Sequence, residues 1–577
     1  MIKNYKQWRK AMFRKNLPFA LTIFILALAV ILGLTTANCQ KAPAKKAELV
    51  IKGKIFTGLD SQPFVDALAV ADDRILIVGN FKQIKKYIGP DTKVIEVKGG
   101  VAVPGLIDAH THFSAGGHSL IELNFRGIDS VEKIQKMVAE KIKELPPHSP
   151  IFGREFDHTL FPGQKWPTKE DLDKVSPDNP VVIRRVDGHS AWLNSLALKL
   201  SGIDKNLKDP FGGEIVRDPK TKEPTGILKE SAMNLIKIQP IAKSSAEEDI
   251  IRALDHARKI GLTGVHASTD LAELEVYKKL KAEGKLTLRI YAWLPIEGID
   301  EYIKMGIRQG QGDEYLRIGF LKAFIDGTLG SGTALMFEPF SDEPTKSGLP
   351  QYPEDKFYEL IDKAYANGFQ VGVHAIGDKG VNWVLNAVEK AERKYGQKNL
   401  RYRIEHAQII KPEDFPRFKE LGVIASMQPT HCTTDLRFCE KRIGKERSRY
   451  AYAWRTLLDN GAVIAFGSDW PVEPLDPRRG IYSAVTRKNI EYDYPEGGWF
   501  PEQKLTVAEA IKLFTWGPAY ASFEENIKGT LEPGKLADIT IFGQDLFTIE
   551  PKKILTAPVA YTIVGGRIIY ENKDITN

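Results

Sequence analysis

The sequence predicts an α/β fold: a (β/α)8 TIM-like barrel with an insertion, a small β-sandwich built from both ends of the chain, and an N-terminal hydrophobic helix ahead of both. Three observations lead there. Between about 104 and 525, amphipathic helical segments alternate with short apolar strands, the pattern of parallel β/α architecture. The stretches 48–104 and 526–577 both read as short β-branched strands with Gly and Asp at their turns. The first 46 residues hold a basic stretch followed by an apolar run interrupted only weakly by Pro18, Thr22, Gly33, Thr35 and Thr36.

That N-terminal segment comes first in the chain. Leu17 to Ala37 is a run of 21 residues with six basic residues before it and none within it. A secretory apolar core needs about 7–15 residues and a spanning helix about 20, so the run predicts an uncleaved anchor with the body of the protein exported. Cleavage after Thr35-Thr36-Ala37, giving a secreted protein, and lipidation at Cys39 are the alternatives. Either the helix or the lipid ties the protein to the cell membrane.

Residues 1–46 also explain the net charge of +7. They carry nine basic and no acidic residues, so the other 531 residues hold 72 basic against 74 acidic ones, a balance of −2. A broad basic face for nucleic acid is thereby excluded, and a small-molecule substrate is expected. With three cysteines and no CxxC pair, the fold rests on neither a disulfide framework nor a thiolate metal site. Cys432 and Cys439 are read as two unpaired thiols.

Next come the strands Glu48 to Ile55, Asp66 to Val70, Arg74 to Val78 and Lys93 to Val97, matched at the far end by Ala537 to Phe542, Ala560 to Val564 and Arg567 to Tyr570. The barrel fills 105–525, with helices at Ala246 to Lys259, Asp355 to Asn367, Gly380 to Tyr395 and Pro412 to Leu421. Nine strands are read there, at 105–110, 181–187, 263–267, 288–293, 318–325, 370–374, 402–406, 423–427 and 462–467. A barrel closes with eight, so 181–187 is assigned to the insertion of about 113–245, whose surplus length and irregular text exceed a plain barrel.

Chemistry concentrates at the strand ends. In Pro104-Gly105-Leu106-Ile107-Asp108-Ala109-His110-Thr111-His112, residues i and i+2 of a strand share a side, so His110 and His112 can ligate one metal. His374 (in Val371-Gly372-Val373-His374), His406 (in Arg403-Ile404-Glu405-His406) and Asp469 (in Gly467-Ser468-Asp469-Trp470) occupy equivalent strand ends. Barrel active sites assemble at that face. A lone histidine is more often a hydrogen-bonded core residue, but five such groups at strand ends point jointly to a divalent, zinc-like metal site with one or two ions.

Together with Asp157-His158-Thr159-Leu160, Asp187-Gly188-His189, Pro224-Thr225-Gly226-Ile227-Leu228, Phe324-Ile325-Asp326-Gly327-Thr328-Leu329-Gly330-Ser331 and Gly529-Thr530-Leu531-Glu532-Pro533-Gly534-Lys535-Leu536-Ala537-Asp538, these motifs resemble the amidohydrolase superfamily, in its amidohydrolase 3 (YtcJ-like) branch. The resemblance spans about 48–577. It implies a metal-dependent barrel with a terminal β-sandwich. His110 and His112 would hold a first metal and His374 and His406 a second, while Asp469 binds the first and accepts a proton. Lys322 falls on the strand where such enzymes carry a carboxylated lysine between two metals; otherwise it is a charged lysine paired with Asp326 or Asp469.

The implied reaction is hydrolysis of a non-peptide carbon–nitrogen bond, an amide, by metal-activated hydroxide with Asp469 as proton carrier. His431, at the next strand end, is the candidate donor to the oxyanion. Arg154, Asp187 and His189 could face the substrate from the insertion, although Asp187-Gly188-His189 also reads as a turn whose Asp caps local amides. Two alternatives stand beside this one: a mononuclear deaminase of a heterocyclic amine, which would need a strand-end Glu acid, and an inactive membrane-tethered binding protein.

Overall fold

Nine barrel-region strands were more than the barrel could use, and the computed structural model, which describes residues 46–239 and 245–576, separates them. Eight form one parallel sheet in chain order: β1 (Leu106–Thr111), β2 (Leu262–Ser268), β3 (Arg289–Pro295), β4 (Leu316–Phe324), β5 (Val371–Ala375), β6 (Arg403–His406), β7 (Ile424–Met427) and β8 (Ile464–Phe466). Helices on the outside and packed side chains inside bury both faces, so β5, β6, β7 and β8 are buried at every position. The sheet nearly closes. At the end of β1 and just past the end of β8, Thr111 pairs in parallel with Trp470, the His112 N–H donates to the Trp470 carbonyl at 2.8 Å, and the Asp469 N–H donates to the His110 carbonyl at 2.8 Å.

The helix Ala246–Lys259 shows why the outer layer forms where it does. Ser245 and Glu248 make a capping box, three acids sit in the first turn, and His256, Arg258 and Lys259 sit in the last, matching the helix dipole. Its apolar face, Ile250, Ala253, Leu254 and Ala257, joins Leu262 and Val265 of β2 in the main core. The stretch read as a helix over 412–421 is instead a 3-10 turn at Pro412–Asp414 running into Phe415–Glu420, with Pro412 and Pro416 at the two starts where proline is tolerated.

Strands from both ends of the chain meet in one continuous seven-stranded sheet, in the order 567–571, 559–564, 539–542, 93–104, 49–56, 64–71 and 74–79. The sequence suggested a sandwich of two sheets; here a single sheet curls on itself. Its edge strand returns to the chain just before 539–542, with Ile75 N–H donating to Lys535 O and Ala537 N–H to Asp73 O, both at 2.8 Å. Strands from both ends share the apolar cluster of Leu49, Ile51, Leu68, Val70, Ile539 and Ile563. A buried pair fastens this sheet to the barrel: Arg289 of β3 contacts Asp538 at 2.6 and 2.9 Å.

The ninth strand, Val181–Arg185, lies in a separate mixed sheet of six strands, ordered 213–217, 224–230, 190–193, 181–185, 151–156 and 123–124. Alternation along it is strict: Val181 and Ile183 pack with Phe125, Ile134 and Val138, whereas Val182 packs with Ala191, Leu193 and Leu198. This sheet occupies the predicted insertion. The apolar run at 17–37 and Cys39 lie outside the described residues; among the described residues no helix is long and apolar enough to cross a membrane. Cys432 and Cys439 are buried free thiols.

Candidate metal centre and active site

The barrel collects its donors at the C-terminal ends of its strands. His110 lies in β1 with His112 one residue beyond it, Lys322 lies in β4, His374 in β5, His406 ends β6, and Asp469 follows β8. His406 and Asp469 both take left-handed backbone, with φ of 74° and 61°, which turns their side chains at the strand ends. Such conformations are uncommon outside glycine and mark sites where function constrains the chain. Gly467 makes the seam possible: a Cβ there would come within 2.6 Å of both Asp108 Oδ1 and His110 N.

One nitrogen or oxygen from each of His110, His406 and Asp469 fall within 4.8 Å of one another, and all three residues are buried. His110 Nε2 is 3.4 Å and His112 Nε2 3.3 Å from Asp469 Oδ1. Lys322 Nζ is 3.3 Å from His110 Nε2. The rings of His374 and His406 are 4.4 Å apart. Thus His406, assigned by resemblance to a second ion, stands with His110 and Asp469 in one compact group.

Three of these histidines are each aimed by a partner on the other nitrogen. Nδ1–H of His110 donates to Glu405 at 2.5 Å, Nδ1–H of His406 donates to Gln428 Oε1 at 2.7 Å, and Nε2–H of His374 donates to the Gly327 carbonyl at 3.1 Å. These bonds leave the lone pair on Nε2 of His110 and His406 and on Nδ1 of His374, that of His110 facing Lys322 Nζ. Glu405 is in turn held by Arg403, which is fully buried and also donates to the Ala109 carbonyl, Ser426 Oγ and His266. Asp326 accepts from the amides of Leu335, Ile376 and Gly377 and so fixes the loops around His374. Sequence reasoning passed over Glu405 and Arg403, and named Asp326 only as a possible ion-pair partner of Lys322.

Charge follows from burial. Burial pushes the Lys322 ammonium down to about 8 against the pull of Glu405 and Asp469, so a neutral amine is accessible there near neutral pH. Lys322 makes no ion pair with Asp326 or Asp469, contrary to the simpler reading of that residue. His110 falls to about 4 through burial and the neighbouring Lys322, which keeps its ring neutral and able to ligate. Although burial opposes it, the surrounding histidines hold the Asp469 carboxyl well below its ordinary value.

Two adjoining cavities open on this group. The larger, about 890 Å3, reaches into the insertion between Phe152, Val182, Met233 and Ile236. The smaller, about 40 Å3, is bounded by His431, Phe438, Leu329 and Thr434. His189, Asp187, His374, His406 and Asp469 line both. His431 sits on the short helix Pro429–Asp435 with its ring parallel to His406 at 5.9 Å, and its buried Nε2 has no hydrogen-bond partner.

The three residues expected from the insertion divide in role. His189 reaches the centre, its ring 5.0 Å from His374. Asp187 lies on the wall but is fully engaged: Oδ1 accepts from His189 N–H, and Oδ2 accepts from Arg185, Thr328 and Ser331. The turn-capping reading of Asp187 therefore holds, and its oxygens bind the wall together instead of awaiting a ligand. Arg154 lines the larger cavity while its guanidinium is engaged by Ser119 O and Glu155.

The donor set fits a divalent cation. Three histidines present aimed lone pairs, and Asp469 Oδ1 is buried with no hydrogen-bond partner among the described residues, an arrangement that costs free energy unless a cation compensates it. Fold and donors define a metal-dependent barrel hydrolase. Residues 93–570 match the model of the Amidohydrolase family. A protein of Bacillus subtilis (strain 168) named as the amidohydrolase YtcJ is 34% identical over 90% of this chain and 98% of its own. An N-substituted formamide deformylase of Arthrobacter pascens is 27% identical over 91% of this chain and 98% of its own. The crystal structure of an uncharacterized metal-dependent hydrolase from Pyrococcus furiosus superposes with a TM-score of 0.67 at 30% identity, covering 87% of this chain and 100% of that one. The chain belongs to the amidohydrolase family, in its YtcJ-like branch, and is a hydrolase of carbon–nitrogen bonds.

Proposed function

We propose that this amidohydrolase cleaves the amide bond of a small N-substituted amide, with zinc as the metal. The observation that carries the reading is the buried, unpartnered Asp469 Oδ1, 3.4 and 3.3 Å from the Nε2 atoms of His110 and His112. His110, His112, His406 and Asp469, with His374 and Lys322 beside them, would hold one or two ions. A divalent ion bound there lowers the pKa of water and polarises a carbonyl.

The remaining chemistry belongs to the chain. Asp469, whose carboxyl is held well below its ordinary value, takes the proton of the attacking water on its carboxylate and returns it to the leaving nitrogen. His431 Nε2 is the donor for the oxygen that develops negative charge, since it is buried at the cavity wall with no partner of its own. His189 contacts the substrate from the opposite wall. The unequal cavities suit a short acyl group on one side and a larger N-substituent on the other, in keeping with the formamide substrate named for the Arthrobacter relative. The buried strand-end acid Glu405 is held between His110 and Arg403 and so is not free to serve as the acid a deaminase needs, which favours the amide reading.

The test is a panel of N-substituted formamides, other short amides and cyclic amides given to zinc-loaded protein, with metal content measured alongside. Bound metal and hydrolysis lost in His112→Ala are expected. Protein that binds no divalent metal, or a His112→Ala variant with unchanged hydrolysis, overturns the reading. The membrane tether at residues 17–39 is part of the same proposal, and the mass of the mature N-terminus tests it.

A further inference from the structure

The insertion strand Pro224–Glu230 ends in a residue whose backbone is out of place. Glu230 has φ 50° and ψ −130°, a conformation that side chains of L-residues rarely adopt and that glycine takes freely. A residue there other than glycine calls for a reason in its side chain. Its carboxylate is buried and fully used: Oε2 accepts from His189 Nδ1 at 2.8 Å, and Oε1 accepts from Thr333 Oγ1 at 2.6 Å. The Glu230 N–H also donates to the His189 carbonyl at 3.0 Å, so the two residues grip each other through both backbone and side chain.

The barrel loop is shaped to receive this carboxylate. A Cβ on Gly327 would lie 2.1 Å from Glu230 Oε1 and 2.2 Å from Thr333 Oγ1, so only glycine fits there. The same Gly327 offers its carbonyl to His374 Nε2. One glycine therefore seats both the metal-side histidine and the acid that holds His189. With Nδ1 committed to Glu230, His189 turns Nε2 into the cavity, where it makes no hydrogen bond to any described residue.

We infer that Glu230 is a positioning residue for the reaction: its strained backbone and buried carboxylate aim His189 Nε2 at the substrate, from the side of His374 that faces the insertion. This rests on hydrolysis at the proposed site and adds to it a second arm, built from the insertion and independent of the metal donors. His189 is the residue that touches the substrate, and Glu230 acts only through it.

The experiment compares wild type, Glu230→Gly, Glu230→Gln, His189→Gln and the double variant Glu230→Gly/His189→Gln, all zinc-loaded. Glycine relieves the backbone, so Glu230→Gly is expected to melt no lower than wild type while kcat falls by roughly 100-fold, the cost of a misplaced group. Glu230→Gln, which keeps an acceptor for Nδ1–H, recovers part of that rate. His189→Gln loses about as much, and the double variant loses no more than His189→Gln alone, because the two act as one unit. Losses that multiply in the double variant, or a Glu230→Gly protein with wild-type kcat, overturn the inference. Should wild type hydrolyse no amide at all, it is the substrate reading that fails. The aim of His189 is then read from its hydrogen-bonded Nδ1–H proton resonance, protected in wild type and lost in Glu230→Gly; its persistence in that variant overturns the inference.

Discussion

The active site has two halves of different construction. The barrel half sets histidines at the ends of regular, fully buried strands and aims each with one hydrogen bond: Glu405 for His110, Gln428 for His406, the Gly327 carbonyl for His374. The insertion half is held by a mesh of charges on irregular backbone, in which Arg185 lies between Asp157 and Asp187, Arg437 reaches across to Asp157, and Arg126 grips both Glu155 and Glu473. On the reading proposed above, the contrast teaches that the metal donors are fixed at strand ends, whereas the substrate wall is fixed by ion pairs linking separate elements. Damage to the first half should appear as lost metal or lost turnover, and damage to the second as altered geometry with the metal retained.

The largest expected effect tests the barrel half directly. Asp469→Asn keeps the shape of the side chain but removes the carboxylate proposed to accept the proton, and kcat should fall by about 10²–10⁴-fold; steady-state rates beside metal content check it. Glu405→Gln comes next. It weakens the aim of His110 and should lower metal affinity by about 10–100-fold, read by competition with a chelator. If that substitution leaves affinity unchanged, strand register alone orients the donors and the hydrogen bonds add little.

Arg126→Ala sharpens the comparison from the insertion side. Its guanidinium donates to Glu473 at 2.9 Å and to the Val472 carbonyl, and Glu473 accepts in turn from Thr434 on the helix that carries His431. Loss of this clasp should loosen 470–473 and lower kcat roughly tenfold, a displacement of the reacting groups by well under 1 Å. Metal content should stay unchanged. Hydrogen exchange at 469–473 and 429–435 checks the cause.

The smallest effect is one of stability and pH. Burial raises the Asp157 carboxyl, but Arg185 and Arg437 outweigh it and hold the pKa at about 2, against an ordinary value of 3.8. A depressed pKa stabilises the fold above about 3.8 and ceases to do so as the pH falls through about 2. Asp157→Asn should therefore melt lower than wild type at pH 7, by about 2 kcal/mol. That difference should shrink between pH 4 and 2, as followed by thermal melts across pH.

How much of this could be read from the sequence follows from the same contrast. The eight barrel strands and the placing of 181–187 outside them were legible because a buried parallel strand is a short apolar run between helical periods. The helix Ala246–Lys259 was legible to the residue because its caps are written in Ser245, Glu248 and the charges at either end. His110, His112, His374, His406 and Asp469 were legible as strand-end residues. Glu405 and Arg403 were not, since an alternating charged pair in a strand reads as an edge or surface pattern, and only closure of the barrel puts both inside. Nor were Glu230 and Arg126, whose partners lie 29 to 347 positions away on other elements. A backbone angle such as that of Glu230 leaves no mark on composition. The curl of the terminal sheet was missed for the same reason, because the contacts of 73–75 with 535–537 join opposite ends of the chain.

The seam between β1 and β8 carries a last consequence. No continuous ladder joins these strands. The end of β1 and the chain following β8 are drawn together by Asp469 N–H to His110 O and His112 N–H to Trp470 O, and by Asp108, whose carboxylate accepts from both His110 N–H and Ser468 N–H. The residues on the two sides of this gap are themselves donors, His110 and His112 on one and Asp469 on the other. An ion held from both sides would add to these bonds: a ligand that binds only the closed form stabilises it by about 2.7 kcal/mol at a hundredfold excess over its dissociation constant. Starved of its ion, this enzyme should come apart first along the line where its chemistry is done.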